Sequence, residues 1–320
     1  FKNFLNKRNL STNDVSSSVS EIIMNVRERG DGALREYAQK FDGFDGEEFL
    51  VSKKEIDQAL KGFDKELMRS LEYAFDRTLN YQTECFKSLN LKNTNNHISR
   101  KFRVIDSLGM YIPGGKASYP STVLMGASPA IACGVDNISI TSPAQNGNLS
   151  PATIAAAKIA GIKRIYKIGG AHAIAGLAIG TEQVSKVDKI IGPGNVFVAE
   201  AKKQLFGEVG IDSIAGPSEI VVLADETSDP ETIAWDLMAQ SEHDSDASSV
   251  LVSDCDNLIK AVKKIINEEI NSLERSALIK DSFESNGMFF KIKKISQAKK
   301  IINSIACLLY TSDAADDCRC

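Results

Sequence analysis

Short β-rich runs alternate with helical segments from about Val104 onward, and this alternation constrains the fold more than any other feature of the chain. Strand, helix and strand in succession are typical of parallel sheets whose faces are covered by helices. The predicted strands are Asn137–Thr141, Arg164–Ile168, Val187–Ile191, Glu219–Ala224, Ser249–Ser253 and Met288–Ile292. The predicted connecting helices are Pro151–Ala160, Ala171–Ile179, Val196–Phe206 and Asn257–Leu273. The sequence therefore predicts an α/β fold.

The predicted elements fall into two groups on either side of the segment Ala215–Ser218. This division predicts two Rossmann-like units with parallel sheets, at residues 109–217 and 218–306. A helical N-terminal segment, residues 1–108, precedes them, because apolar residues there recur at three- and four-residue spacing. Its turn signals are Asp31-Gly32 and Asp42-Gly43. We expect this segment to pack with residues 218–306 as one discontinuous Rossmann-like domain.

Glycine-rich loops follow several of the predicted strands. They are Tyr111–Gly115, Gly169–Ala171 and Gly192–Asn195. Ligands on such sheets bind at the carboxyl ends of the strands, where backbone N–H groups at helix N-termini attract anions. As a dinucleotide fingerprint the last loop is weak, because Phe197 stands where the third glycine belongs. A cofactor loop and plain turn glycines both remain open on spacing alone.

Composition excludes several classes of function. The 320 residues are 43% hydrophobic and 25% charged, which is typical of a globular protein long enough for two domains. A net charge of -4 gives no basic surface for nucleic acid, and the apolar runs are too short to span a bilayer. Six cysteines without framework spacing favour a reducing compartment, so we expect a cytoplasmic location. The expected partner is a small molecule.

A polar pair ends the helix that begins at Pro230. At about 100° per residue, Gln240 falls beside Ile233 and Leu237 on the apolar stripe, and His243 lies at the edge of that stripe one turn later. A metal-ligand pair is one interpretation. The other is a satisfied histidine beside a surface glutamine, and spacing cannot decide because glutamine is not a usual zinc ligand.

Five segments together resemble the histidinol dehydrogenase family, and the resemblance covers roughly residues 20–306. The segments are Tyr111–Gly115, Ser121–Met125, Val187–Asn195, Ala215–Glu219 and Asp236–His243. The resemblance implies a cytoplasmic, zinc-containing homodimer. It also implies oxidation of L-histidinol to L-histidine, through a bound histidinaldehyde, in two NAD-dependent steps.

The resemblance assigns the cofactor contacts residue by residue. Tyr111 and Asn195 match family contacts to NAD, and the third contact, usually a glutamine, falls at His172. An imidazole can offer one hydrogen bond, but it cannot provide the donor and the acceptor of an amide together. A structural role for His172 at the start of its helix therefore remains an alternative.

The same resemblance implies that Gln240 and His243 are zinc ligands that also contact substrate, with Ser218 as a further substrate contact. A zinc ion held by an imidazole and oxygen ligands can bind the amino and imidazole nitrogens of histidinol. The metal would then orient the alcohol carbon toward the nicotinamide.

No catalytic residue is assigned, because the resemblance ends at Ala306. The family's Glu-His pair, its later Asp and His zinc ligands and its C-terminal domains are expected to lie beyond that point. His97 fits a surface position in an Asn-rich segment. We therefore expect an inactive N-terminal fragment of the enzyme. Residues 307–320 are predicted to be a non-native tail, with a genuine polar C-terminal tail as the alternative.

Two other functions remain open. The first is a related zinc- and NAD-dependent dehydrogenase of another small diol, such as a sulfopropanediol. The second is a non-catalytic remnant that binds only nucleotide or pairs with another subunit.

Overall fold

The computed structural model describes residues 15–89, 92–94, 99–114, 119–214, 219–305 and 309–312. The chain divides into two compact units. One unit lies within Thr12–Ala215, and the described part of the other lies within residues 219–312. No helix among these described residues is long and apolar enough to cross a membrane.

The first unit begins with four helices. They are α1 (Ser16–Arg29), α2 (Asp31–Asp42), α3 (Lys53–Leu60) and α4 (Lys65–Ser88). Helix α2 ends at Gly43, whose φ of 65° is left-handed and whose N–H donates to the carbonyls of Ala38 and Gln39. This cap fixes Asp42 as the last helical residue. Helix α3 begins with a capping box between Ser52 and Glu55.

A five-stranded parallel sheet forms the centre of the first unit, and its strand order is β5-β4-β3-β6-β7. Its strands are β3 (Ser107–Tyr111), β4 (Asn137–Thr141), β5 (Arg164–Tyr166), β6 (Lys189–Ile191) and β7 (Gly210–Ile211). The linking helices are α5 (Pro120–Cys133), α6 (Pro151–Ile159), α7 (Gly170–Ile179) and α8 (Val196–Leu205). Strands β1 (Lys92–Thr94) and β2 (Ser99–Lys101) form a separate antiparallel pair. The strand order reverses between β3 and β6, and such a switch point opens a crevice for ligands.

The N-terminal helices pack on the helices of this same unit. Helix α1 packs on α7 and α8, α2 packs on α7, and α4 packs on α5. The predicted discontinuous domain that joins residues 1–108 to 218–306 is therefore wrong for residues 15–89. The physical reason lies in α7, where residues 171–178 are all buried. A helix that is apolar on every side needs cover on its outer face, and α1 and α2 provide that cover.

The second unit contains a four-stranded parallel sheet with the order β10-β9-β8-β11. Its strands are β8 (Glu219–Ala224), β9 (Ser248–Ser253), β10 (Met288–Lys291) and β11 (Leu309–Ser312). Its helices are α9 (Pro230–Ser241), α10 (Asp256–Glu269), α11 (Ser276–Asn286) and α12 (Ala298–Ile305), with 3-10 turns at Ile270–Ser272 and Ile295–Gln297. The predicted α/β class, with two parallel sheets after a helical segment, is confirmed.

The segment 307–320, predicted to be a non-native tail, contains strand β11, and whether that tail is native stays a prediction. The strand consists of Leu309–Ser312. In the structure it pairs in parallel register with residues 220–223 of β8. Without β11, strand β8 would be the edge strand of this sheet. An edge strand has unpaired N–H and C=O groups that can pair with a nearby extended segment.

Candidate functional site

A cavity of about 630 Å³ opens in the first unit at the carboxyl edge of its sheet. Tyr111 at the end of β3, His172 in the first turn of α7 and Asn195 before α8 all line it. These are the three cofactor contacts that the family resemblance predicts. They come from three separate loops, and the reversal of strand order beside β3 brings those loops together.

Tyr111 fixes the centre of the cavity wall. Its side chain is buried, and its Oη accepts the N–H of Gly170 at 3.2 Å. Burial raises the pKa of Tyr111 to about 12, so the phenol stays protonated at neutral pH. Its O–H hydrogen therefore remains a donor inside the cavity.

The loop between β6 and α8 holds Asn195 beside the end of β3. Gly192 has a φ of 114°, and a Cβ there would lie 2.1 Å from the carbonyl oxygen of Tyr111, so only glycine fits. Asn195 caps α8, because its Oδ1 accepts the N–H of Val198 at 3.1 Å. The amide Nδ2 of the same side chain is left to donate to a ligand.

An ion pair between the buried side chain of Lys202 and the exposed carboxylate of Asp212 holds this loop. The Nζ of Lys202 donates to the carbonyl oxygen of Gly192 at 3.0 Å and pairs with Asp212. The N–H of Gly192 donates to the other carboxylate oxygen of Asp212 at 2.8 Å. Both backbone polar groups of Gly192 are thus held by one Lys–Asp pair, and Lys202 itself is buried.

His172 lies almost entirely inside the protein, with 1% of its surface exposed. Its ring centroid is 5.8 Å from that of Tyr37 and 6.1 Å from that of Phe41. Neither ring nitrogen has a hydrogen-bond partner among the described residues. Burial lowers the pKa of His172 to about 3, so the imidazole is neutral at physiological pH.

The cavity is also lined by residues to which the sequence assigned no role, among them Asp42, Phe41 and Phe197. Asp42 ends α2, and Phe41 and Phe197 are aromatic side chains that stay 56% and 39% exposed. The sequence pattern around these residues indicates only local structure. Asp42-Gly43 marks a turn, and Phe197 occupies the position of the third glycine of the dinucleotide fingerprint. Only the packing of α2 against α7 brings Asp42 into the cavity.

Asp42 has an uneven hydrogen-bond environment. It accepts the backbone N–H of Gly169, whereas its Oδ2 is buried with no partner among the described residues. Burial raises the pKa of Asp42 to about 6, and the Gly169 hydrogen bond offsets part of that effect. The carboxyl is therefore mostly ionised at pH 7, at a cost in solvation.

The residues predicted to bind zinc and substrate belong to the second unit. Gln240 is buried in the last turn of α9, and its Nε2 has no hydrogen-bond partner among the described residues. His243 is exposed beyond the end of α9, and its backbone N–H donates to the carbonyl of Gln240 at 3.3 Å. Ser218 lies outside the described residues.

The described residues do not complete a zinc site. Gln240 and His243 offer one ligand atom each, whereas a structural or catalytic zinc takes at least three protein ligands. No group of three or more His, Cys, Asp or Glu side chains in the described ranges could hold a metal ion.

Fold and cavity together define a class, an α/β protein of the Rossmann-like type with a ligand crevice at its topological switch point. Comparison with known sequences then identifies the family. The family profile described as histidinol dehydrogenase matches residues 5–309. The chain belongs to the histidinol dehydrogenase family, which implies that it is related to oxidoreductases.

Individual relatives agree with this assignment. Histidinol dehydrogenase from Agrobacterium fabrum is 42% identical over 310 residues, covering 96% of this chain and 72% of that protein. The enzyme from Methanothermobacter thermautotrophicus is 43% identical over 300 residues, covering 93% of this chain and 70% of that protein. The crystal structure of histidinol dehydrogenase from Elizabethkingia anophelis superposes with a TM-score of 0.87 at 31% identity, covering 95% of this chain and 71% of that one.

Proposed function

We propose that this chain provides the NAD-binding part of a histidinol dehydrogenase that oxidises L-histidinol to L-histidine through bound histidinaldehyde. One observation supports this most directly. Tyr111, His172 and Asn195, which the family resemblance assigns to NAD, lie far apart in the sequence and line a single cavity. Two NAD⁺ molecules, bound there in turn, would each accept one hydride, the first from the alcohol and the second from the hydrated aldehyde.

The cavity suits a dinucleotide in shape and in chemistry. Its volume of about 630 Å³ falls within the range of pockets that enclose small ligands. The exposed rings of Phe41 and Phe197 offer faces on which a flat base can stack. The first turns of α7 and α8 begin beside it, and helix N-termini attract phosphate groups.

The predicted contacts bind and orient rather than transfer protons. An alcohol oxidation needs a general base with a pKa near neutrality. The pKa of His172 is lowered to about 3 and that of Tyr111 is raised to about 12, so neither exchanges a proton efficiently at pH 7. We therefore expect His172 and Tyr111 to bind NAD without acting as the general base for histidinol oxidation.

Substrate and zinc are assigned to Gln240 and His243, with Ser218 as a further substrate contact. The support for both assignments is the family resemblance. The buried Nε2 of Gln240 has no partner among the described residues, and as an N–H donor it could bind substrate but not zinc. Two ligand atoms give little chelate advantage, so zinc held by these residues alone should be weak. We also propose the homodimer and the cytoplasmic location of the family for this protein.

Titration of the purified chain with NADH, followed by nucleotide fluorescence, tests the cofactor site. Tyr111→Ala and Asn195→Ala should each weaken NADH binding by roughly tenfold, because each removes a polar contact that the site is built around. Asp64→Ala is the matched control, since Asp64 caps α4 as Asn195 caps α8 but does not line the cavity. Equal losses in the control and in Asn195→Ala, or no NADH binding by the wild-type chain, would refute the proposed site.

A further inference from the structure

The oxygen Oδ2 of Asp42 is buried without a hydrogen-bond partner, although the carboxyl lines the cavity. A buried carboxylate oxygen loses its hydration, and native proteins rarely leave such an acceptor unmatched. The other oxygen is engaged by the N–H of Gly169, so the carboxyl cannot turn freely toward solvent. Oδ2 of Asp42 is therefore a hydrogen-bond acceptor in a fixed position, and no described residue donates to it.

The charges around the cavity favour a neutral donor over an anion at this point. Asp42 is the only side chain charged at neutral pH among the described residues that line the cavity. It stands at the C-terminal end of α2, where the helix dipole adds negative partial charge. The cation of Lys40 on α2 lies 5.4 Å from the ring centroid of Phe41, but Lys40 does not line the cavity.

Asp42 follows the aromatic residue Phe41, and this position indicates which kind of ligand group could donate a hydrogen bond to Oδ2 of Asp42. Phe41 precedes Asp42 in sequence, lines the same cavity and is 56% exposed. A base stacked on Phe41 brings its attached sugar within reach of the next residue. Ribose hydroxyls at that point donate hydrogen bonds, and an acidic residue that accepts them is a general device for binding NAD.

We propose that Asp42 binds the hydroxyls of the adenosine ribose and makes the site selective for NAD over NADP. This inference rests on the proposed cofactor function of the cavity. The free 2′-hydroxyl of NAD satisfies Oδ2, whereas the 2′-phosphate of NADP brings negative charge and no donor to a carboxylate. Asp42 is thus a specificity-determining residue that selects between two cofactors of the same redox chemistry.

Fluorescence titrations of the 320-residue chain with NADH and with NADPH test this inference. We expect the wild type to prefer NADH, and we expect Asp42→Asn to reduce that preference by about tenfold or more, because a like-charge contact is removed. Asp45→Asn is the matched control, since Asp45 is exposed, lies three residues away and does not line the cavity. Its ratio of NADH to NADPH affinity should equal that of the wild type.

The outcomes separate this inference from the proposed function. A wild-type chain that binds neither nucleotide overturns both. If the wild type binds NADH but Asp42→Asn keeps the wild-type ratio of NADH to NADPH affinity, Asp42 does not select between the cofactors, whereas the proposed cofactor site is unaffected. Equal weakening of both nucleotides also overturns it, because Asp42 would then be merely structural. Asp42→Ser, which removes the charge but retains a hydroxyl acceptor for Gly169, replaces the asparagine variant if circular dichroism shows that the latter does not fold.

Discussion

His172 binds no proton near neutral pH, and this makes the stability of the fold sensitive to acid. Burial lowers its pKa from 6.5 to about 3, so below pH 6.5 the unfolded chain takes up a proton that the folded chain does not. This contribution to the free energy of unfolding is complete above pH 6.5 and is lost as the pH falls. Between pH 8 and pH 5 the loss at this one site is about 2 kcal/mol.

Replacement of the imidazole by a group that does not titrate tests this acid sensitivity. Urea denaturation of the wild type and of His172→Gln at pH 8 and pH 5 should show that the wild type loses about 2 kcal/mol more than the variant. Other titrating groups contribute equally to both proteins and cancel in the comparison. Equal losses would mean that the imidazole is protonated in the folded state and has a partner there.

The family resemblance assigns a ligand to His172, but it does not predict which residues surround the imidazole ring. The family resemblance assigns His172 to NAD, and in the structure His172 lines the cavity. It could not show that the ring packs beside Tyr37 and Phe41, because those residues belong to α2, which is remote in sequence. Whether His172 contacts NAD stays a prediction.

Single elements were predictable wherever local signals set their limits. Strands Asn137–Thr141 and Glu219–Ala224 have the predicted limits, and helix α9 begins at Pro230 after its Asp229 cap. Strand β5 was predicted to reach Ile168 but ends at Tyr166. The N–H of Lys167 donates to the carbonyl of Phe49, far away in sequence, instead of continuing the ladder.

The packing partner of a helix was harder to predict than the helix itself. An apolar stripe on a helix shows that one face is buried, but it does not identify what covers that face. For this reason α1 and α2 were predicted on the wrong unit. The error also hid Asp42, which enters the cavity only because α2 packs against α7.

At the level of the loop before α8, the Lys202–Asp212 pair should control how well the cavity binds a nucleotide. Lys202→Met removes a charged hydrogen bond to the carbonyl of Gly192 and the ion pair with Asp212, whose exposed carboxylate stays solvated. We expect a decrease in the free energy of unfolding of about 2 kcal/mol from the lost charged hydrogen bond, and NADH affinity roughly tenfold weaker, because the loop that bears Asn195 is freed.

Lys203→Met is the control for that variant. Lys203 is the next residue on α8, its side chain is 60% exposed, and it pairs with Glu200 rather than with the loop. Glu200 keeps the hydrogen bond from Gln204 when Lys203 is replaced, and water screens the exposed Lys203 side chain, so we expect little loss of stability. The two variants are compared by urea denaturation and NADH titration. Similar losses of stability and NADH affinity in both would show that the Lys202–Asp212 pair has no special influence on the loop before α8.

On the scale of the whole molecule, the cavity belongs to one compact unit and the chain's single tryptophan belongs to the other. Trp235 lies in α9 of the second unit, so its fluorescence reports the unfolding of that unit. Circular dichroism of the helices reports both units, since each contains several. The two signals therefore distinguish ligand binding that stabilises one unit from binding that stabilises the whole chain.

NAD⁺ should therefore raise the thermal transition of one unit and leave the other unchanged. At a concentration of about 100 times its dissociation constant, a ligand stabilises the state that binds it by about 2.7 kcal/mol. For a unit of this size that amounts to a shift of roughly 5–10 °C in the part of the circular dichroism transition that comes from the first unit, with no shift in the Trp235 transition. The Asn195→Ala variant should show a smaller shift by circular dichroism at the same NAD⁺ concentration. If the Trp235 transition moves as far as the circular dichroism transition, the two units unfold as one cooperative unit, and the prediction that NAD⁺ stabilises Thr12–Ala215 alone is wrong.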